Sequence, residues 1–243
     1  GRAGRQDKAP WKNVEPPRGP VEAEFLHPVV LGETLAPFRL LPSAAETVAV
    51  LPVLPDGTVM DAGRAEREGH RRLAAWLRDV EAKWAAHSSK DERGNAAMSL
   101  ASRLDFQRNL SRQFPAQPIR VAYAASGTLF AAALVTDQAA VVEHACYSAS
   151  ARNLEEARYL LALLNSDRIR REIAPLQPKG QGGARHFDNL MWELPIPEFD
   201  ARNPDHQALA ALAAEAEALA AAVPLREGAH FTAQRRAIRD ALE

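Results

Sequence analysis

Ile119-Arg120-Val121-Ala122-Tyr123-Ala124 opens the stretch whose reading decides the fold. Leu129-Phe130-Ala131-Ala132-Ala133-Leu134-Val135 follows, and then Ala140-Val141-Val142-Glu143-His144-Ala145-Cys146-Tyr147. All three are short apolar runs, each carrying valine and an aromatic residue among alanines, which suits a pleated, half-buried strand. Ser126-Gly127 and Asp137-Gln138 supply turns between them. The pattern predicts an antiparallel meander. Helical periodicity brackets it on both sides. The expected class is therefore α+β: a small mixed or antiparallel sheet flanked by helices, with a helical insertion over residues 62–114 and C-terminal helices.

Towards the N-terminus, Val29-Val30-Leu31-Gly32-Glu33 and Phe38-Arg39-Leu40-Leu41 read as short strands around a glycine turn. Residues 48–54 form a β-branched run ended by Pro55-Asp56-Gly57, a strong turn signal, with Thr58-Val59-Met60 as the returning strand. Asp61 can cap a long helix over residues 63–87, with Leu73, Trp76, Leu77, Val80 and Trp84 on its apolar face. Opposite lie Arg64, Arg67, Arg71, Arg72, Arg78 and Lys83; a solvated face, with Glu66, Glu68, Asp79 and Glu81 nearby, is the favoured reading and a phosphate-facing one competes with it. A second helical stretch is expected over residues 95–114, interrupted near Asp105. Residues 1–20 are polar and proline-rich and begin without Met. They read as an extended linker at a truncation point, docking through Trp11.

Towards the C-terminus, Asn153 caps a helix with Glu156 three residues on, a capping-box spacing. Ala157, Leu160, Leu161 and Leu164 form its buried stripe. Ser166 can cap a short helix that stops before Pro175. Asn203-Pro204-Asp205 supplies a cap, a proline at the first helical position and an acidic first turn for a helix running to Val223. Thr232 is expected to cap a last basic helix through Leu242. The organisation read from these signals is a linker over 1–20, an α+β region over 21–200 and C-terminal helices over 201–243.

Composition narrows the function classes. Of 243 residues, 47% are hydrophobic and 25% charged, enough for a real core. The formal net charge is -1, so any nucleic-acid contact must come from a local patch or lean on a partner. A single cysteine, Cys146, rules out an internal disulfide framework and a cysteine zinc cluster, and fits a cytoplasmic location. No apolar run approaches the ~20 residues needed to cross a bilayer.

The best candidate for chemistry is Lys179-Gly180-Gln181-Gly182-Gly183-Ala184-Arg185-His186. Gly180, Gly182 and Gly183 allow close backbone approach to a ligand. Lys179 and Arg185 bring charge for phosphates, and Gln181 and Arg185 can pair with adenine and guanine edges. His186 can reach a base or a phosphate. The segment is not a nucleotide-binding P-loop, because no Gly-Lys-Ser/Thr follows at the needed spacing. A flexible connector is the competing reading. Glu143, His144 and Cys146 invite a nucleophile–base reading, but a cysteine inside an apolar run is expected to be buried and structural. Strand alternation would put His144 and Cys146 on one face and Glu143 on the other. No residue is assigned a catalytic, cofactor-binding or metal-binding role.

Taken in order, several phrases resemble the C-terminal target-recognition region of adenine-specific (N6) DNA methyltransferases of restriction-modification and phage-defence type. They are Leu31-Gly32-Glu33 with Ala36-Pro37-Phe38, Leu104-Asp105-Phe106 with Leu110-Ser111-Arg112-Gln113, Val121 to Gly127, Val142-Glu143-His144, the helix from Glu155 to Ser166, and Leu194-Pro195-Ile196-Pro197-Glu198-Phe199. The resemblance spans roughly residues 20 to 240. It implies a specificity module that reads double-stranded DNA through the 179–186 loop for an N-terminal methyltransferase domain of the same polypeptide. It implies no cofactor in this segment, with S-adenosylmethionine held in that other domain. The glycine-rich cofactor loop and the Asn/Asp-Pro-Pro-aromatic motif are missing; Glu15-Pro16-Pro17-Arg18 and Asn203-Pro204-Asp205-His206 are only superficially similar to the latter. A structural or protein-interaction domain of a defence assembly is the alternative.

Overall fold

The computed structural model describes residues 9–127, 129–177 and 186–243. The fold is α+β, small sheets flanked by helices. Its contacts gather into two compact units: one of residues 1–27 and 48–116, the other of residues 28–47 and 117–243. In chain order the strands are β1 (Leu26–Val30), β2 (Leu35–Ala36), β3 (Arg39–Leu40), β4 (Val48–Val50), β5 (Arg120–Ala124), β6 (Ala132–Val135), β7 (Val141–Val142) and β8 (Cys146–Ser150). The helices are α1 (Ser43–Glu46), α2 (Ala62–Arg67), α3 (Arg71–His87), α4 (Leu100–Leu104), α5 (Leu154–Asn165), α6 (Asp167–Ile173), α7 (Leu190–Glu193), α8 (Pro204–Ala222) and α9 (Phe231–Leu242).

In the first unit the Pro55-Asp56-Gly57 turn forms as its residues dictate. Leu54 N donates to Thr58 O at 2.9 Å, Gly57 N to Leu54 O at 2.8 Å, and Asp56 Oδ1 accepts from Thr58 N at 2.9 Å. The helix expected over 63–87 is in fact two. Asp61 caps α2, its Oδ1 accepting from Arg64 N at 2.7 Å. The chain then breaks at Gly69, whose φ of +90° lies outside the helical region and suits glycine. Along α3, Leu73, Ala74 and Leu77 are buried with Phe25, Met60, Ala62 and Ala65, while Trp76 packs at the margin. Trp84 Nε1 donates to Met98 O at 2.7 Å, and Trp11 stacks on its ring with centroids 5.4 Å apart.

The helical stretch expected over 95–114 is interrupted at Asp105 as its sequence suggested, but shrinks to α4 and two single 3-10 turns. Asp105 is the physical cause. Its Oδ1 accepts from both Leu110 N (3.1 Å) and Ser111 N (2.8 Å), bonds that compete with helix continuation. Gln107 and Arg108 take up positive φ between them.

No side chain of its own caps α3; Glu22 does so from a distant segment. Its carboxylate accepts from Arg72 N at 3.0 Å and Leu73 N at 2.8 Å. Burial pushes the Glu22 pKa up, but the backbone donors, with His70 nearby, outweigh it and leave the group below its ordinary 4.5. A depressed carboxyl stabilises the fold above its unfolded pKa and loses that contribution as pH falls through the folded value. Glu22→Gln should therefore cost about 1 kcal/mol at neutral pH. Wild type and variant should converge as urea midpoints are followed below pH 4.5. An equal gap at every pH would show that the charge is irrelevant.

In the second unit β5 lies at the centre, all five residues buried, between antiparallel β6 and β8. This corrects the expected meander, in which the second strand would be central. The third expected strand, 140–147, also divides. Val141 and Val142 pair in parallel with Val29 and Val30, residues 143–145 turn, and only from Cys146 does the chain rejoin β5.

Side-chain alternation along β5 serves two cores. Val121 and Tyr123 join Phe130, Ala157, Leu161 and Leu164 beneath α5. Ala122 and Ala124 face Val30, Leu35, Val135 and Cys146. Asn153 Oδ1 caps α5 through Glu156 N at 2.8 Å, yet Glu156 returns its carboxylate to Arg152 N, one residue short of a reciprocal box. Of the expected stripe, Ala157, Leu161 and Leu164 are buried and Leu160 is half-buried; Tyr159 is buried too. Ser166 and Asn203 cap α6 and α8 as their spacing predicts. α9 is capped not by Thr232 but by His230, whose Nδ1 faces Thr232 N at 3.4 Å.

Two arginines tie the C-terminal helices to the β2–β3 hairpin. Arg39 Nη1 donates to Ala220 O (2.8 Å) and Val223 O (2.9 Å), satisfying carbonyls at the end of α8. Arg235 of α9 donates to Leu35 O at 2.5 Å and to Gly32 O.

Candidate nucleic-acid interface

β5 ends in a junction that organises the residues around the glycine-rich segment. Ala125 N continues the ladder by donating to Ala145 O at 2.8 Å. Its carbonyl turns the other way and accepts two donors, Phe187 N at 2.7 Å and Asp188 N at 2.9 Å. Ser126 and His186 form an antiparallel bridge. Gln177, itself buried, donates from Nε2 to His186 O at 2.9 Å. The two ends of residues 178–185 are thus fastened to each other and to the end of the central strand.

Aromatic packing holds this neck from below. Phe187 is buried edge-to-face on Phe130, centroids 5.0 Å apart. Tyr123 Oη donates to Asp188 O at 2.6 Å and stacks on Tyr147. Burial, then the charges of Tyr147 and Asp188, hold the Tyr123 hydroxyl far above its ordinary pKa, so it remains a donor. Asp188 sits at φ +40°, a conformation aspartate tolerates better than most residues.

Of the residues assigned to DNA contact, Lys179, Gly180, Gln181, Gly182, Gly183 and Arg185 lie outside the described residues. His186 is described. Its ring is 59% exposed, with Nδ1 4.0 Å from Asp188 Oδ2, and so it points to solvent beside the neck. Gln177, Ala125 and Tyr123 are the neck residues that sequence reading missed. Their bonds run to backbone groups far along the chain and leave no local spacing to detect.

The possible nucleophile is disposed of by geometry. Cys146 is buried, and burial, reinforced by Glu143 and opposed by Arg235, pushes its thiol up to about 12. It is an inert thiol at neutral pH. His144 lies in the turn before β8 with its ring exposed, so the alternation assumed for residues 143–146 does not exist. The remaining histidines make structural contacts where they are described. His70 Nδ1 meets Glu24 at 3.1 Å, and His206 Nδ1 accepts from Asp200 N at 3.0 Å. Among the described residues no three His, Cys, Asp or Glu side chains gather as a metal site, and no helix is long and apolar enough to cross a membrane. No protein-family model matches the chain, and no curated protein matches it.

Proposed function

We propose that this chain is a DNA target-recognition region of an adenine-N6 DNA methyltransferase, positioning the parent enzyme on its site in double-stranded DNA. The observation that carries the reading is the neck. Gln177 and His186, which flank the basic, glycine-rich stretch in sequence, are hydrogen-bonded to each other, and His186 bridges Ser126 just past the end of a buried strand. Flanking residues held on a sheet suit a site that must discriminate between sequences.

The phrases behind the resemblance support it further, because several meet in one core. Val121 and Tyr123 lie under the α5 helix, and Leu194 and Ile196 pack against the same cluster. Tyr159 of α5 donates to Pro197 O at 3.1 Å and packs on Phe199. In this reading methyl transfer and S-adenosylmethionine belong to an N-terminal domain of the same polypeptide, the target base is flipped into that domain, and the protein works in the cytoplasm of a phage-defence or restriction-modification system. The alternative, a docking domain of a defence assembly, is favoured by Leu212 and Leu219, exposed seven residues apart on α8.

The test has two arms. The isolated chain should bind duplex DNA weakly, with affinity falling steeply as salt rises, since only local cations release counterions at a net charge of -1. In the intact enzyme Arg185→Ala should cost about 1–3 kcal/mol on cognate DNA and relax preference at one base pair. Unaltered methylation kinetics on cognate and mismatched duplexes would remove the segment from DNA reading.

A further inference from the structure

A groove of about 930 Å³ runs between α6 and α9, lined by Leu129, Arg170, Arg235, Arg236, Arg239 and Asp240 among others. Four of these side chains are guanidiniums. Arg170 and Arg239, from opposite walls, each donate at 2.7 Å to one oxygen, Oδ1 of Asp167. Arg239 also reaches Glu243 at 2.9 Å. Arg235 forms the floor. It is buried, and its forks go to the carbonyls of Gly32 and Leu35, not to a carboxylate. Burial lowers its pKa, opposed by Cys146 and Glu33, but a guanidinium stays charged in proteins, so its charge lies under the groove with Glu33 as an acidic neighbour and no carboxylate bonded to it. Arg236 is exposed and makes no ion pair among the described residues. Asp167, Asp240 and Glu243 are the carboxylates at the groove, with Glu33 acting on Arg235 from the side.

The groove adjoins the neck. Leu129, on its wall, is three residues from Ser126, the bridge partner of His186, a reach of at most about 10 Å. A methyl group at Gly127 would sit 3.6 Å from Arg235 Nη1. Groove and neck are thus close enough for one duplex to touch both.

We infer that the α6–α9 groove is a phosphate seat for the DNA backbone, with Arg236 and Arg170 as the contacting cations and Arg235 as the fixed charge beneath them. This rests on the DNA-reading role proposed above and adds a sequence-independent contact to it. Such contacts set register and orientation and carry no base information. Phosphate oxygens take over the donors that Arg170 and Arg239 now share on Asp167, matching the fork geometry of arginine.

The experiment is a fluorescence-anisotropy titration of the full chain with a short duplex, repeated across salt from about 50 to 200 mM. Arg236→Ala and Arg170→Ala should each flatten the slope of log K against log salt by about 0.9 and weaken binding about fivefold near 0.15 M salt, on any DNA sequence. Arg78→Ala, whose partner Glu66 lies in the other unit, is the control and should leave the slope unchanged. Thermal unfolding checks that the exposed Arg236 variant is folded. Wild-type binding with unchanged slopes in both variants overturns the groove alone and leaves the recognition reading standing. No wild-type binding at any salt overturns both. Inorganic phosphate that displaces the duplex far better than chloride at matched ionic strength, and only while Arg236 is present, assigns the groove to free phosphate and overturns the DNA assignment.

Discussion

Arg235→Ala should destabilise the second unit by about 3–5 kcal/mol. The side chain is 3% exposed and makes its bonds across 200 residues of sequence, to Leu35 O at 2.5 Å and to Gly32 O. Removing it leaves two carbonyls without their donor, that of Leu35 buried and that of Gly32 partly buried. It also empties volume beside Phe231, whose ring the guanidinium covers at 4.9 Å from the centroid. Hydrogen bonds to a charged donor contribute more than neutral ones, and truncating one partner costs the desolvation of the other. Arg235→Lys should recover only part of the loss, because one ammonium cannot span both carbonyls as a planar fork does. Urea unfolding, followed by a probe in the second unit, reads both variants. A loss below about 1 kcal/mol for the alanine variant would mean that the clamp is dispensable.

Gly57→Ala should cost the first unit about 2–4 kcal/mol. Two effects add. The glycine sits at φ +86°, where an L side chain is strained, and a Cβ there would lie 2.7 Å from the carbonyl oxygen of Ser111. That neighbour is backbone and cannot swing aside. Gly94 separates the two effects: its φ is +80°, but nothing lies within 4 Å of a Cβ built there. Gly94→Ala should therefore show the backbone strain alone, about 1–2 kcal/mol. Equal losses at both glycines would place the whole cost in the backbone and remove the Ser111 contact from the account.

These two sites also mark what was legible in the sequence. Gly57 belongs to a local signal: three consecutive residues specify the turn, and the caps at Asp61, Asn153, Ser166 and Asn203 were readable for the same reason. A cap or a turn is decided within about four residues, so neighbours in sequence contain the physics. The strand runs were legible as strands because apolar β-branched residues declare a pleated surface. Their order was not, since the partner of Val141 and Val142 is β1, more than a hundred residues earlier.

The helix misreadings have the same root. Periodicity ran through Gly69 without registering that it permits a break; the interruption near Asp105 was legible, but not that its carboxylate would take the Leu110 and Ser111 donors and leave only 3-10 turns beyond it. Arg235 looked like one more charge on a basic helix. Only tertiary contacts distinguish it from Arg236 beside it, which is exposed. At the candidate interface, composition pointed to the glycine-rich segment but could not show how its ends are held. The Gln177 bond to His186 O links a side chain to a backbone group nine residues on, and no residue type announces it.

DNA is proposed to pass over the neck at Gln177 and His186. This path is tested most directly by placing a photocrosslinking side chain at the position of His186, whose ring is 59% exposed beside the neck, and irradiating the protein with labelled duplex. The account predicts a covalent protein–DNA adduct that unlabelled duplex competes away, and little or none when the same group replaces Arg78. DNA that still binds but gives no adduct from position 186, or gives equal adducts from both positions, would contradict it.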